Sequence, residues 1–338
     1  MRKIITLLSF CLLIGSYSYG QQDAMFTKYM FNTLTYNPAY AGAKDHMSIG
    51  LLHRTQWWGI DGAPTTQTFS IHSPMKNDRV GIGFNAINDK IGPTNTLGAN
   101  LSYAYRIPMG KGKLSIGIQG GVMNWRADWN KLTTESGITI DEAYAETEPN
   151  YWLPNFGAGL YYYTDKFYLG VGVPHLLEYD LRKEGLDGGT IDTPLWAKQY
   201  RHYYFSTGVA IPLKGDMLVF KPSILVKNTG LLSSLSKDAA FQENGAPTEF
   251  DIDLSLLFYE ALWVGVSFRS AIEAFNDTSS FDSADIWASY YLANGLRIGA
   301  AYDYTLTKLQ GPAVGSFEVM LGYEFNYKTK QLVTPRYF

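Results

Sequence analysis

The sequence predicts an all-β fold, a transmembrane antiparallel β-barrel of about 14 strands. Charged residues make up only 17% of the 338-residue chain and aromatic residues reach 15%, whereas about 25% charged residues is typical of soluble domains. After residue 20, no stretch approaches the ~20 apolar residues of a membrane helix. Segments of about ten residues instead alternate between apolar and small or polar side chains, as strands between lipid and a lumen do.

The first element, residues 1–20, has the layout of a secretory signal peptide. Arg2 and Lys3 precede an apolar run, and small and polar residues follow up to Gly20. We therefore expect cleavage after Gly20 and export by the Sec route. The single cysteine, Cys11, lies inside this leader, so we expect no disulfide in the exported chain.

Residues 21–45 form the second element, an aromatic segment in which Asn37 and Pro38 interrupt any helix. Apolar surface of this size rarely stays exposed without binding something. We expect the segment to fold back as a plug of the barrel, at its periplasmic mouth, or to dock on a partner. The candidate plug or docking residues are Phe26, Tyr29, Met30, Phe31, Asn37, Pro38 and Tyr40.

The third element, residues 46–326, contains the alternating segments and is the predicted barrel. In residues 97–107, for example, leucine, tyrosine and isoleucine side chains alternate with glycine, asparagine, serine and arginine. The predicted strands lie at about 46–54, 66–72, 79–88, 95–107, 113–123, 155–164, 166–173, 202–212, 217–227, 248–258, 261–269, 284–292, 295–304 and 315–326. An even strand number is typical of bacterial single-chain barrels.

The connections between these strands alternate between tight turns and long loops, apart from a short link at 89–94. Because bacterial barrels have short periplasmic turns and longer extracellular loops, we expect both chain ends in the periplasm. Residues 327–338 would form a periplasmic tail. The loops at 124–154 and 174–200 combine aromatic with charged residues, which is typical both of a binding surface and of a loop that crosses the headgroup layer.

Many tyrosines lie near the predicted strand ends, where a ring can sit among lipid headgroups with its hydroxyl in water. We expect this position for Tyr103, Tyr105, Tyr161, Tyr162, Tyr163, Tyr203, Tyr204, Tyr290, Tyr291, Tyr302, Tyr304 and Tyr323. They would form the aromatic girdles of the barrel.

Alternation also places a set of charged side chains inside the barrel. They are Lys221, Lys227, Asp251, Asp253, Arg269, Arg297, Asp303, Glu318 and Glu324. Such charges either pair with one another and fill a narrow lumen or form the constriction of a solute-selective pore. We favour the paired arrangement, because a barrel of this size has a lumen that must be filled or plugged.

The sequence gives little support for an enzyme, a cofactor or a metal site. The five histidines show no metal-ligand spacing to one another or to a carboxylate pair. No G-x-S-x-G elbow and no phosphate-binding loop is present. A net charge of −3 offers no case for nucleic acid. We therefore expect a protein with no catalytic residues and no cofactor.

In its motifs, the chain resembles the PorP/SprF proteins of the type IX secretion system. The matching pieces are QDAMFTKYMFN (22–32), NPAYAG (37–42), HRTQWWGIDGAPTTQTFS (53–70), IGPTNTLGANLSYAYRI (91–107), KPSILVKN (221–228), GAPTEFDIDLSLLF (245–258), LWVGVSFR (262–269), LRIGAAYDYTLTKL (296–309) and GSFEVMLGYEF (315–325). They cover nearly the whole predicted mature chain, in order, although the loops at 124–154 and 174–200 lie outside them.

The resemblance implies a non-enzymatic barrel in the outer membrane of a Gram-negative bacterium, in contact with outer-membrane lipid. It implies partners among other type IX secretion components and a secreted or surface-anchored cargo protein, such as a gliding adhesin. The alternatives that the residues leave open are a porin-like diffusion channel with a charged lumen and a barrel enzyme whose site is assembled across strands.

Overall fold

The computed structural model of the chain describes residues 26, 28–75, 78–128, 149–180, 198–215, 217–229, 248–272 and 281–325. The predicted leader and the predicted tail lie outside these residues. So do the acidic part of the 124–154 loop and most of the 174–200 loop.

Fourteen long strands form the wall of a barrel, and each overlaps the segment that alternation predicts. They are β1 Met47–Thr55, β2 Thr65–Pro74, β3 Val80–Ile91, β4 Thr94–Met109, β5 Gly112–Ala127, β6 Asn150–Tyr163, β7 Phe167–Val173, β8 His202–Val209, β9 Leu218–Thr229, β10 Glu249–Phe258, β11 Leu262–Ala271, β12 Ser283–Tyr291, β13 Leu296–Thr305 and β14 Ser316–Phe325. Ile211–Pro212 extends β8 along β9, and Tyr179–Asp180 pairs with Lys198–Gln199 outside the wall.

The wall closes on itself. Each strand pairs antiparallel with the next, β8 pairs with both β7 and β9, and β14 returns to pair with β1. The registers at the closing seam include Leu51 opposite Leu321. The predicted fold class, a closed antiparallel barrel of 14 strands, is therefore confirmed.

Burial along the strands follows the predicted period of two. On β4, Ser102 and Ala104 are buried while Leu101 and Tyr103 are 68% and 47% exposed. On β10, Asp251 and Asp253 are buried, whereas Leu254 is exposed. Successive strand residues point to opposite faces, so the apolar face is the outer wall and the small or polar face lines the lumen.

The hairpin of β5 and β6 is longer than the sequence predicts. β5 continues to Ala127 and β6 begins at Asn150, so part of the expected 124–154 loop is strand. Trp125 stacks on Tyr151 with ring centroids 5.9 Å apart, and the Asn124 amide donates to Asn150 Oδ1 at 2.6 Å. These cross-strand pairs extend the ladder beyond the apolar band.

The predicted headgroup position is wrong for several tyrosines. Tyr161, Tyr163 and Tyr204 are only 2%, 6% and 8% exposed, because they point into the lumen. There Tyr161 meets Tyr40 edge-on with centroids 5.4 Å apart. Tyrosine suits both a headgroup layer and a hydrogen-bonded interior, and a run such as YYY necessarily places alternate rings on opposite faces.

The connections divide the barrel into two rims. The tight turns, such as those between β4 and β5 and between β6 and β7, lie at one rim, which we call the short-turn rim. The wide gaps after β1, β5, β7, β9, β11 and β13 lie at the other, the long-loop rim. The short 89–94 link is a two-residue turn at the long-loop rim, in which Gly92 has a φ of +53°, a conformation that favours glycine.

In the described residues before β1, three short helical turns lie within the barrel. They are Tyr29–Phe31, Thr33–Tyr36 and Pro38–Tyr40. A further turn, Lys308–Gln310, lies between β13 and β14. Among the described residues, no helix has the length and apolarity needed to cross a membrane.

Candidate functional site in the barrel lumen

The described part of the N-terminal segment, Phe26 and residues 28–45, runs inside the barrel from rim to rim. Near the short-turn rim, Lys44 pairs with Glu324 at the end of β14. At the other end of the segment, the carbonyl oxygen of Phe26 accepts a hydrogen bond of 3.0 Å from Arg269, close to the end of β11. The segment therefore extends well beyond the short-turn mouth at which the sequence placed it.

Lys28 anchors the segment to the wall formed by β10–β12. Its ammonium lies 3.3 Å from Asp253 Oδ2 and donates to Ser267 Oγ at 2.6 Å. Asp253 Oδ2 also accepts from Ser267 and from the Trp287 indole N–H, at 2.8 and 2.7 Å. Lys28 and Asp253 are both 0% exposed. Hydrogen bonds offset the cost of burying such a pair; here they converge on Asp253 Oδ2, whereas Asp253 Oδ1 has no hydrogen-bond partner among the described residues.

A chain of ion pairs continues from this anchor across the closing seam. Arg54 of β1 lies 2.6 Å from Asp303 and 3.4 Å from Glu318. The other Glu318 oxygen accepts from the backbone N–H of Lys28 at 3.1 Å. Arg269 lies 2.8 Å from Asp251. Glu318, like Asp253, thus binds both the wall and the N-terminal segment.

The remaining predicted lumen charges also lie inside the barrel. Lys227 is 3.6 Å from Glu249. The Lys221 ammonium lies 3.4 Å from the centroid of the Trp263 ring. The Arg297 guanidinium lies 4.3 Å from the Phe31 ring centroid and donates to the Tyr291 hydroxyl at 3.2 Å. Cations over aromatic faces are stabilised by the ring quadrupole.

Aromatic contacts hold the first helical turn of the segment. Phe31 meets Trp263 and Trp287 edge-on, with centroid distances of 4.9 and 5.6 Å. The buried Tyr29 hydroxyl lies 2.7 Å from Ser223 Oγ. Met30 packs between these two groups. Tyr29 is therefore buried and Met30 and Phe31 are partly buried against the inner wall, whereas the predicted residue Phe26 lines the lumen cavity.

The NPAYAG stretch packs on the opposite wall, backbone against backbone. The Asn37 amide donates to the Leu160 carbonyl at 3.0 Å, while its oxygen accepts from Ala39 N at 3.0 Å. Ser115 Oγ donates to the Ala39 carbonyl at 2.6 Å. Pro38 is buried between them.

Glycines on this wall leave the room that the NPAYAG backbone occupies. A Cβ on Gly117 would overlap the backbone of Ala39, and one on Gly172 would overlap the Tyr36 carbonyl oxygen. A Cβ on Gly81 would overlap the Ala41 carbonyl group. The inward glycines are therefore a matched surface for the segment, which we call the glycine wall (Gly81, Gly117, Gly159, Gly170 and Gly172).

Tyr40 and Gly42 complete the contact with β2 and β4. The Tyr40 ring lies 5.1 Å from that of His72, and His72 Nδ1 accepts from Gly42 N at 3.2 Å. The Gly42 carbonyl accepts from the buried Arg106 guanidinium. Gly42 has a φ of +69°, which favours glycine here.

At the short-turn rim, Glu324 binds two side chains that lead into β1. Lys44 Nζ is 2.5 Å and His46 Nε2 is 3.2 Å from its carboxylate oxygens. Burial lowers the pKa of the Lys44 ammonium, but the Glu324 carboxylate together with Tyr40 and Tyr291 raises that pKa above its ordinary value. Asp45 adds a pair with Lys113 at 3.9 Å.

Above the segment, a cavity of about 160 Å³ opens toward the long-loop rim. Its lining combines aromatic, acidic, basic and amide side chains, among them Tyr36, Trp125, His202, Lys227, Asp251 and Arg269. Ion pairs hold several of these groups. The cavity is therefore open at the long-loop rim and closed at its other end by the N-terminal segment.

Sequence reasoning missed Lys28, Arg54, Arg106 and the glycine wall. Lys28 belongs to a segment without periodicity. Arg54 follows the inward Leu52, which is apolar and hides the alternation of β1. Alternation puts Arg106 on the polar face of residues 97–107, opposite Tyr105 and Ile107, although the predicted lumen charges do not include it. Among the described residues, no group of three or more His, Cys, Asp or Glu side chains could hold a metal ion.

These features define the class: an outer-membrane β-barrel whose own N-terminal segment lies in its lumen. The sequence profile of the type IX secretion system membrane protein PorP/SprF matches residues 18–323. The chain therefore belongs to the PorP/SprF family, as its motifs predict. It is a membrane barrel component of type IX secretion, and the family implies contact with other components of that system.

Similar solved structures are outer-membrane barrels. The monoaromatic hydrocarbon channel CymD has 11% identity and a TM-score of 0.50, over 90% of this chain and 94% of CymD. Omp33 of Acinetobacter baumannii has 10% identity and a TM-score of 0.45, over 84% of this chain and 100% of Omp33. At such identity the likeness to CymD supports the barrel fold alone. No curated protein matches the chain.

Proposed function

We propose that the chain is a non-enzymatic accessory barrel of the type IX secretion system that supports export or surface attachment of a cargo protein, such as a gliding adhesin. The observation that carries this proposal is the burial of the N-terminal segment against opposite walls. Lys28 and Asn37 are each 0% exposed, and each is bound by groups of a different wall. A barrel filled in this way acts through its surfaces.

In this proposal, residues 21–45 are a fixed plug that also presents its short-turn end to periplasmic partners. Residues 1–20 direct export and are removed, and residues 327–338 form a periplasmic tail. The long loops, including residues 124–154, would meet the cargo at the cell surface.

A pull-down tests the accessory role. The tagged full chain is purified from gently solubilised outer membranes, and co-purifying proteins are identified by mass spectrometry. Recovery of type IX components together with one large surface protein is the expected result. Deletion of the chain should abolish surface display of that same protein, and complementation with the full chain should restore it. A barrel that comes down alone, with display intact after deletion, would refute the proposal.

A selective diffusion channel is the second candidate, favoured by the charged cavity at the long-loop rim. Planar-bilayer conductance separates the two. A fixed plug predicts no steady conductance of the full chain and an open pore when residues 21–45 are deleted. A channel predicts conductance of the full chain that changes when Lys221 or Asp251 is neutralised.

A further inference from the structure

A continuous row of polar side chains crosses the outer wall of β1–β5, where apolar residues are the rule. His53 Nδ1 lies 3.3 Å from Gln67 Nε2, and Gln67 Oε1 accepts from Asn88 Nδ2 at 2.6 Å. Asn88 Oδ1 accepts from Asn95 Nδ2 at 2.9 Å. Asn95 Oδ1 accepts from Arg126 Nε at 3.1 Å. We call these residues the outer polar row.

The row faces away from the lumen. Its members alternate with residues that point inward: Arg54 and Thr66 are buried, and Asp89 and Thr96 line the lumen cavity. Since successive strand residues point to opposite faces, the row belongs to the surface that meets the membrane. The lumen network described above does not explain it.

The row lies at the level of lipid headgroups. On β4, the outward face is apolar from Leu97 to Ile107, and a tilted strand of that length rises about 25 Å, the height of the apolar band of such barrels. Asn95 is the next outward residue past that band. Trp152, opposite Asn124 in the β5–β6 ladder, is 65% exposed, as interfacial tryptophans are.

Two cations lie at this level: Arg126, at the end of the row, and Lys90, beside it. Lys90 lies directly across from Asn95, which lies directly across from Arg126, and both cations are exposed. Each cation is a cross-strand neighbour of Asn95, and such neighbours have Cβ atoms about 5 Å apart, so the two long side chains can reach one phosphate group lying over Asn95. Lys and Arg form charge-assisted hydrogen bonds with phosphate oxygens. The nearest acidic position along β5 is Asp128, just past the strand end.

We propose that the outer polar row binds the phosphorylated sugar headgroup of a lipopolysaccharide-type lipid in the leaflet at the long-loop rim. Lys90 and Arg126 bind the phosphate. The Asn88 and Asn95 amides, which both donate and accept hydrogen bonds, bind sugar hydroxyls. This lipid would fix the orientation of the β1–β5 wall in the membrane, apart from any cargo that the barrel serves.

Native mass spectrometry of the delipidated full chain in detergent tests the cation contacts. The probes are diphosphorylated lipid A, phosphatidylglycerol and phosphatidylcholine. We expect lipid A to bind more tightly than phosphatidylcholine. The double variant Lys90→Gln/Arg126→Gln should weaken lipid A binding about thirtyfold, as expected for two cations near a membrane surface. The control Lys111→Gln/Lys166→Gln, with the same charge change at the short-turn rim, should keep the parent affinity.

A second variant tests the sugar contacts. Asn88→Leu/Asn95→Leu should weaken binding of lipid A but leave phosphatidylglycerol, which lacks the sugars, unchanged. Heat-dependent gel mobility confirms that each variant is a folded barrel. Equal losses in the two charge variants, or equal binding of lipid A and phosphatidylcholine by the parent, would overturn the proposal. So would a photocrosslinker at position 126 that captures a protein instead of lipid in native membranes.

Discussion

The two halves of the lumen wall hold the same N-terminal segment by different physical means. The wall of β3–β7 meets the NPAYAG stretch through backbone contacts at the glycine wall. The wall of β9–β14, with β1, meets Phe26 and residues 28–31 through buried charges and aromatic rings. On the first wall, the glycine positions leave no room for a side chain. On the second wall, the position beside Asp253 requires a cation.

This difference determines what each half contributes. Close packing is sensitive to added volume, because a packed interior cannot accommodate a new methyl group without strain. A buried ion pair adds little net stability, but removal of one partner leaves an unpaired buried charge. The glycine wall therefore determines which backbone path fits in the lumen. The Asp253 site, formed by Asp253, Ser267 and Trp287 around Lys28, determines the charge and the register of the segment.

Lys28→Met should have the largest effect. It leaves the Asp253 carboxylate without its cation in a site that is 0% exposed, which costs about 3 to 5 kcal/mol. Residues 28–43 should lose protection in hydrogen-exchange mass spectrometry, and limited proteolysis should cut the segment. The barrel itself should stay closed, as judged by its heat-dependent gel mobility.

The double variant Lys28→Met/Asp253→Asn provides the matched control. The neutral amide removes the unpaired charge, so protection of residues 28–43 should return in large part. If the double variant still lacks protection of residues 28–43, Lys28 acts through packing on Trp287 rather than through its charge.

Gly117→Val tests the other wall. The new side chain would overlap the backbone of Ala39, and such overpacking costs about 3 kcal/mol. The expected result is release of residues 36–43 and the appearance of steady conductance in planar bilayers. Gly120→Val on the same strand is the control, because a Cβ there meets only Phe156, at 3.7 Å. Equal effects of the two variants would contradict a role for the glycine wall.

The sequence predicted the wall of the barrel better than its contents, and the reason is physical. A period of two reports which face each strand residue occupies, so the strands and the inward side of Asp251 or Asp303 follow from it. It carries no information on what lies across the lumen. Lys28 opposite Asp253 and Ala39 against Gly117 are contacts between an aperiodic segment and distant strands, which only the three-dimensional structure brings together.

Asn37→Ala should have a smaller effect than either of these. The variant loses the hydrogen bond to the Leu160 carbonyl and the turn bond from Ala39 N, and two such bonds contribute about 1 to 2 kcal/mol. Hydrogen exchange at residues 36–43 should speed up, while residues 28–31 keep their protection. Thr35→Ser, which changes a partly exposed neighbouring position but keeps the hydroxyl that donates to the Asn32 carbonyl, serves as the control. Equal acceleration over the whole segment would show that the two halves open together.

Lys44→Met should have the smallest effect. Its pair with Glu324 is partly open to solvent, with side-chain exposures of 16% and 24%, and pairs of this kind contribute about 0 to 1 kcal/mol. His46 stays 3.2 Å from the same carboxylate, so Glu324 keeps a partner. Protection of residues 28–43 should match the parent at neutral pH. A loss as large as that of Lys28→Met would mean that the short-turn rim, rather than the Asp253 site, anchors the segment, and the contrast between the two walls would fail.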